Sequence, residues 1–428
     1  MNNKLKFKPL GTDYKSILPK HKIIKTLPEK MGAWVTYKGG KTFLEKIPLP
    51  NMLPEDVLIE PLWISICSSD INKFTELVPN LNKTVFGHEF AGRIVAAGKN
   101  VEESIIGKTV VVEEHYPCLQ CESCVKGRFD MCKREGFLGW HKSGNPDDWV
   151  RNGSFAEYVS IHYSCAKMTE GIEMLDFFPS LAEAFGNTVK MEMKIREICG
   201  NIPDTLVVWG GCGTQALYMV PYLAKKGVKN FILIDKDEEA MLYMKKHLED
   251  LEIKLYFLNS ENHEELIFLK KELRQQNGFI TLELTGENSV QELVLKYASP
   301  NGKIFYYGLP QRYEKVFIPG TDIDLNSFIT GKAGIEKLNL NGVSGVRVMG
   351  RDKESWGKTI KVIKIDEKLR KFIIKPLVMA GTTENIGELM DYLVSNGSRY
   401  KQKPYGMRPA KFAVISKKML NSKAKNDE

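Results

Sequence analysis

The sequence predicts an α/β protein made of two kinds of sheet. An antiparallel β domain carrying an inserted cysteine-rich lobe comes first, and a doubly wound parallel sheet follows. Three observations carry this reading. Ahead of Asp204, short runs of strand composition alternate with turn residues. Within that stretch Cys118, Cys121, Cys124 and Cys132 form a C-x2-C-x2-C-x7-C run. Beyond Asp204, near-continuous apolar strands alternate with helical segments, as a parallel sheet covered on both faces requires.

Residues 1–30 carry eight lysines, Asp13 and Glu29 but no arginine and no apolar core of a secretory signal, so they read as a surface arm. Residues 33–37 have strand composition, 38–40 a turn, 57–60 a second strand, and 92–112 continue the β character. The lobe occupies 114–135. The apolar run 205–209 opens the parallel sheet, and Gly210-Gly211-Cys212-Gly213 leads into a helix over 214–226 that contains Pro221. Strands follow at 231–234, 254–258, 279–284, 303–307 and 343–348, with helices at 263–276 and 384–395. The resulting division is an extension 1–30, a first domain 31–188, a second domain 189–345, and a part 346–428 that returns to the first.

The 428 residues are 43% hydrophobic and 27% charged, an ordinary globular balance. A net charge of +8 with scattered lysines gives no basic face for nucleic acid. No run of about 18 apolar residues suggests a membrane span. Five of the eight cysteines belong to the two clusters described below; Cys165, Cys199 and Cys212 suggest no disulfide framework, which fits a reducing cytoplasm.

Gly211-Cys212-Gly213-Thr214-Gln215-Ala216 fits G-x-G-x-x-A, between a buried strand and a helix. Gly211 would permit the tight turn, Gly213 would let the backbone approach a pyrophosphate, and Ala216 would keep the helix close to the sheet. The helix N-terminus would offer free N–H groups to phosphate. Asp235, closing the second strand, can accept hydrogen bonds from ribose hydroxyls and would repel a 2′-phosphate, so NAD is favoured over NADP.

Four closely spaced thiolates leave a metal no open position, so Cys118, Cys121, Cys124 and Cys132 suit a structural zinc. An iron–sulfur cluster is the alternative, but the x7 gap and the lack of proline after Cys132 depart from the ferredoxin run. Cys67, His88 and Glu89, with Glu183 as a further carboxylate, suit a second zinc that keeps a position for chemistry. Asp70 is placed to orient the His88 imidazole.

With these residues in view, the chain resembles the zinc-dependent medium-chain alcohol and polyol dehydrogenases. Gly87-His88-Glu89-x2-Gly92-x5-Gly98-x2-Val101 fits that family's zinc signature, and Gly153-Ser154-Phe155-Ala156-Glu157-Tyr158-Val159 is similar to its G-G-F-A-E-Y-V segment. The resemblance runs from Met31 to Val348, and more faintly to Ser416. It implies a GroES-like β domain with a structural zinc lobe, a Rossmann domain, and two zinc ions and one NAD per chain. Cys67 and His88 match zinc ligands, Glu89 an acid at or near the metal, and Ser69 the hydroxyl that begins a proton relay. Glu183 matches the glutamate of the sorbitol and threonine dehydrogenase branch. Ser68, Ala184 and Thr214 depart from the family's usual glycine and prolines. Segments 1–30, 138–152 and 353–375 are extra sequence; the second, with Trp140 and His141, reads equally as a cleft lining or a surface loop.

The implied activity is hydride transfer between NAD and a secondary alcohol or ketone of a polyol, sugar or cyclitol. The resemblance further implies a small-molecule substrate and a homodimer or homotetramer. The alternative is a zinc- and NAD-binding protein without turnover, against which the joint presence of Cys67, Ser69, His88, Glu89 and Glu183 speaks.

Overall fold

The computed structural model describes residues 8–9, 26–37, 41–75, 83–132, 136–139, 150–170, 172, 178–275, 278–308, 317, 322–329, 331, 334, 337–340, 342–348, 350–374, 377–396 and 411–416. The 140–149 part of the extra segment, with Trp140 and His141, therefore lies outside the described residues, as does most of the N-terminal arm. The chain divides into two compact units, 1–184 with 352–428, and 185–351.

The first unit is built on an eight-stranded sheet. Its centre is the Asp56–Ile66 strand, buried at every position. One edge of that strand pairs with Glu89–Ala97. The other pairs with Val159–His162 along its first half and with Lys411–Ile415 along its last residues. Pro61 cannot donate to a ladder, and the register with Glu89–Ala97 shifts between Pro61 and Trp63 to accommodate it. Both faces of the strand are covered, so burial does not alternate along it, and even Asp56, Glu60 and Ser65 are buried. Val57, Ile59, Ile64, Phe90, Ile94, Tyr158 and Phe412 form its core.

Two residues of the expected surface arm, Lys8–Pro9, extend this sheet by pairing antiparallel with Val378 and Met379. So short a strand carries no readable period, and only the partner strand reveals it. The extra segment 353–375 forms two helices, Lys353–Ile365 and Glu367–Ile374, that bury Trp356, Ile363 and Leu369.

The second unit holds a seven-stranded sheet in the order Lys254–Asn259, Asn230–Asp235, Thr205–Trp209, Ile280–Glu283, Lys303–Tyr306, Val343–Arg347, Lys337–Leu340. The first six strands are parallel and form the doubly wound Rossmann arrangement. Lys337–Leu340 adds an antiparallel edge that the apolar pattern did not announce. Strand order reverses at Thr205–Trp209, so the residues following Trp209 stand at the sheet's switch point. The Thr214–Lys225 helix runs through Pro221, with eight of its residues buried. Among the described residues no helix is long and apolar enough to cross a membrane.

Candidate metal centres and cofactor cradle

The strand ladder of the first unit sets up one cluster. Ser65 stands opposite Glu89 in the register, and Ile66 opposite Phe412. The central strand therefore delivers Cys67 beside His88 and Glu89, although 21 positions separate Cys67 from His88. One ligand atom from each of Cys67, His88 and Glu89 lies within 4.8 Å of the others. Glu183 is buried on the Phe178–Cys199 helix and is not a member of this group.

Asp70 ties the arrangement together from a fully buried position. Its Oδ2 accepts from the Cys67 backbone N–H at 3.0 Å, and its Oδ1 accepts from the Gly87 N–H at 3.3 Å. The same Oδ1 lies 3.0 Å from His88 Nδ1. A carboxylate only accepts, so Nδ1 carries the proton and Nε2 remains for a metal. Gly87 has φ +93°, and a Cβ there would come within 2.4 Å of the Phe155 ring, so only glycine allows this approach to His88. Ser69 Oγ is 3.3 Å from His88 Nε2 on a half-buried position.

Burial alone would lower the His88 pKa, but the Asp70 carboxylate and then Cys67 hold it well above the usual imidazole value. Burial, and next the charge of Glu89, push the Cys67 thiol up against the opposing effects of His88 and Lys411.

Sequence reading missed two contributors. Lys411 is buried and forms an ion pair with Glu89 Oε2, and Ser65 Oγ donates to the same oxygen at 2.9 Å. Lys411 lies 322 positions after Glu89 and belongs to no motif, so only the pairing of Lys411–Ile415 with the central strand brings it here.

The lobe is local by contrast. A short helix, Glu122–Val125, a turn at Gly127 with φ +75°, and a 3-10 turn, Phe129–Met131, curl the chain upon itself. All four cysteine sulfurs lie within 4.8 Å of one another. Sγ of Cys118 is 3.9 Å from that of Cys124, and Sγ of Cys121 is 3.4 Å from that of Cys124. Sulfurs about 2.3 Å from one tetrahedral ion would stand roughly 3.8 Å apart, so the lobe fits zinc without rearrangement. Burial would raise the Cys118 pKa, yet the backbone N–H groups of Gln120 and Cys121 bring it below the usual thiol value.

In the second unit, Gly213 caps the Thr214–Lys225 helix without any side-chain cap bond. A Cβ on Gly213 would meet only the Gly210 carbonyl, at 3.4 Å, so the space before the helix is open to phosphate. The left-handed residue of the turn is Gly210, φ +73°, which corrects the expectation that Gly211 makes the turn. Gly211 serves close packing instead, since a Cβ there would lie 2.9 Å from Leu233 Cα. Asp235 Oδ2 accepts from the Cys212 N–H at 3.1 Å, and Oδ1 accepts from the Lys236 N–H at 2.9 Å. Gln215 donates to Thr188 Oγ1 at 3.0 Å, a contact within the unit's own framework.

The model of the alcohol dehydrogenase GroES-like domain matches residues 53–170. The L-threonine 3-dehydrogenase of Symbiobacterium thermophilum is 27% identical over 207 residues, 47% of this chain and 54% of that protein. The sorbitol dehydrogenase of Bacillus subtilis is 31% identical over 140 residues, 32% of this chain and 37% of that protein. In these matches the chain spans about half or less of the relative's length. An alcohol dehydrogenase structure from Thermus sp. ATN1 superposes with a TM-score of 0.68 at 18% identity, covering 90% of this chain and 100% of that one. The matched domain carries the four-cysteine lobe, and the chain continues into a Rossmann-type sheet. The chain is thus similar to alcohol and polyol dehydrogenases, threonine and sorbitol dehydrogenases among them.

Proposed function

We propose that the protein is a zinc- and NAD-dependent oxidoreductase acting on a secondary alcohol or ketone of a polyol, sugar or cyclitol. The observation that carries this reading is the convergence of the Cys67 thiol, the His88 imidazole and the Glu89 carboxylate, three donors of the kind that leave zinc one position for a substrate oxygen. Cys67, His88 and Glu89 would hold the catalytic zinc, and Cys118, Cys121, Cys124 and Cys132 the structural one. Glu183 stays in the reading as the carboxylate that the polyol branch places at or beside the metal.

Bound there, zinc would supply Lewis-acid polarisation of the substrate oxygen, with NAD as the hydride partner. The chain's own part is positional. Asp70 fixes the His88 ring and the Cys67 loop. Ser69 Oγ, beside His88 Nε2, would accept the substrate proton while passing its own on towards solvent. Gly211, Cys212, Gly213, Thr214 and Gln215 form the loop and helix start that would receive the pyrophosphate, and Asp235 would receive the adenosine ribose. The threonine and sorbitol dehydrogenase relatives support a polar secondary alcohol as substrate, and the family resemblance suggests a homodimer or homotetramer.

The test is a panel of polyols, sugars, cyclitols and simple secondary alcohols with NAD or NADP, followed by absorbance of the reduced nicotinamide. NADH formation with a polyol, abolished by Cys67→Ala together with one equivalent of zinc, is the expected result. Turnover that persists in Cys67→Ala with this site verified empty would refute the assignment.

A further inference from the structure

Glu89 is bound on one side before any metal arrives. Both contacts that the structure gives its carboxylate oxygen Oε2 come from within the fold: the Lys411 ammonium and the Ser65 hydroxyl, the latter at 2.9 Å. Lys411 and Glu89 have side-chain exposures of 5% and 1%, so neither charge is solvated at the site. A buried ammonium is retained only beside a compensating anion, and a buried carboxylate likewise, which makes this pair a fixed feature rather than a surface contact.

The backbone makes it rigid. Ser65 and Glu89 face each other across the Asp56–Ile66 and Glu89–Ala97 strands, and Lys411 opens the strand on the other side of the central one. Three adjacent strands therefore place Lys411, Ser65 and Glu89 together, with no loop between them.

A carboxylate offers about four lone-pair sites over its two oxygens. With Oε2 given to an ammonium and a hydroxyl, Oε1 is the oxygen left for a cation gathered with Cys67 and His88. We propose that Lys411 is a positioning residue for the metal centre: with Ser65, it confines Glu89 to one-oxygen ligation and so preserves the position that a substrate would use. A carboxylate free to chelate through both oxygens would fill that position. This inference rests on the reading of Cys67, His88 and Glu89 as a metal site.

The experiment is cobalt substitution at this centre with zinc kept in the four-cysteine lobe, read by visible absorption. Wild type should give the intense d–d bands of a four-coordinate ion. Lys411→Met should lower their intensity per cobalt as Glu89 closes on the metal, and should raise metal affinity in chelator competition. Lys411→Arg should restore the wild-type bands, because the cation returns. Lys411→Thr tests the same point if the methionine variant does not fold, since it is a good strand former too short to reach Oε2. Wild-type bands in Lys411→Met, or in Lys411→Thr, with cobalt bound would overturn the role of Lys411 alone. A wild-type protein that takes no cobalt here would overturn the metal site itself, and the inference with it.

Discussion

The two donor clusters of the first unit are opposites in construction. The lobe's four sulfurs come from one stretch of chain curled by short turns, and each sulfur is itself a donor. The Cys67, His88 and Glu89 centre draws on two neighbouring strands and needs Asp70, Ser65 and Lys411 to hold its donors in place. A local cluster has few supports to lose and would depend on a bound metal for its own shape. An assembled cluster has its shape given by the sheet, so a metal held there could be lost while the fold stays.

That contrast can be broken most forcefully at the lobe. Cys124→Ser should eliminate one metal equivalent and unfold 114–135, because structural zinc sites of small domains bind with apparent energies of about 10–16 kcal/mol that are also folding energy. Metal analysis and limited proteolysis would report it. A lobe that stays protease-resistant without its metal would end the contrast.

A carboxyl outside both clusters gives a smaller effect and a control. Burial, opposed by hydrogen bonds from Thr285 and Gly286, raises Glu283 to about 7. Its Oε1 accepts three donors, while its buried Oε2 has no partner. The folded pKa lies above the unfolded one, so the favourable protonated state is fully present below about pH 4.5 and is lost as pH rises towards 7. Glu283→Gln keeps the accepting oxygen and removes the charge. It should raise stability at pH 8 by at most about 3 kcal/mol relative to wild type, and by little at pH 4.5. Thermal melts at both pH values check this; an equal gain at both would show that ionisation is not the cause. Neither metal content should change.

The finest distinction lies in Asp70. Asp70→Asn should weaken metal binding at the Cys67 centre by about 10–100-fold through loss of ring orientation, with the lobe's metal untouched. Chelator competition followed metal by metal measures it. Equal weakening at both centres would mean that the variant acts through general unfolding.

Sequence alone determined what depends on neighbours along the chain. The lobe was legible because its spacing is its geometry. Thr205–Trp209 and Asn230–Asp235 were legible because their interiors, Leu206 to Trp209 and Phe231 to Ile234, are apolar runs. Cys67, His88 and Glu89 were found through motif resemblance, since the spacing between Cys67 and His88 implies no contact by itself. What only the tertiary structure decided is what strand pairing brings from afar. Lys411 reaches Glu89 because Lys411–Ile415 pairs with the central strand, and Lys8–Pro9 joins the sheet only through Val378 and Met379. That Gly210 rather than Gly211 takes the left-handed turn conformation likewise emerged only in the structure, where Gly211 packs against Leu233 of the next strand. Local spacing encodes local shape, whereas a buried ion pair between distant residues is fixed by register, which no single segment carries.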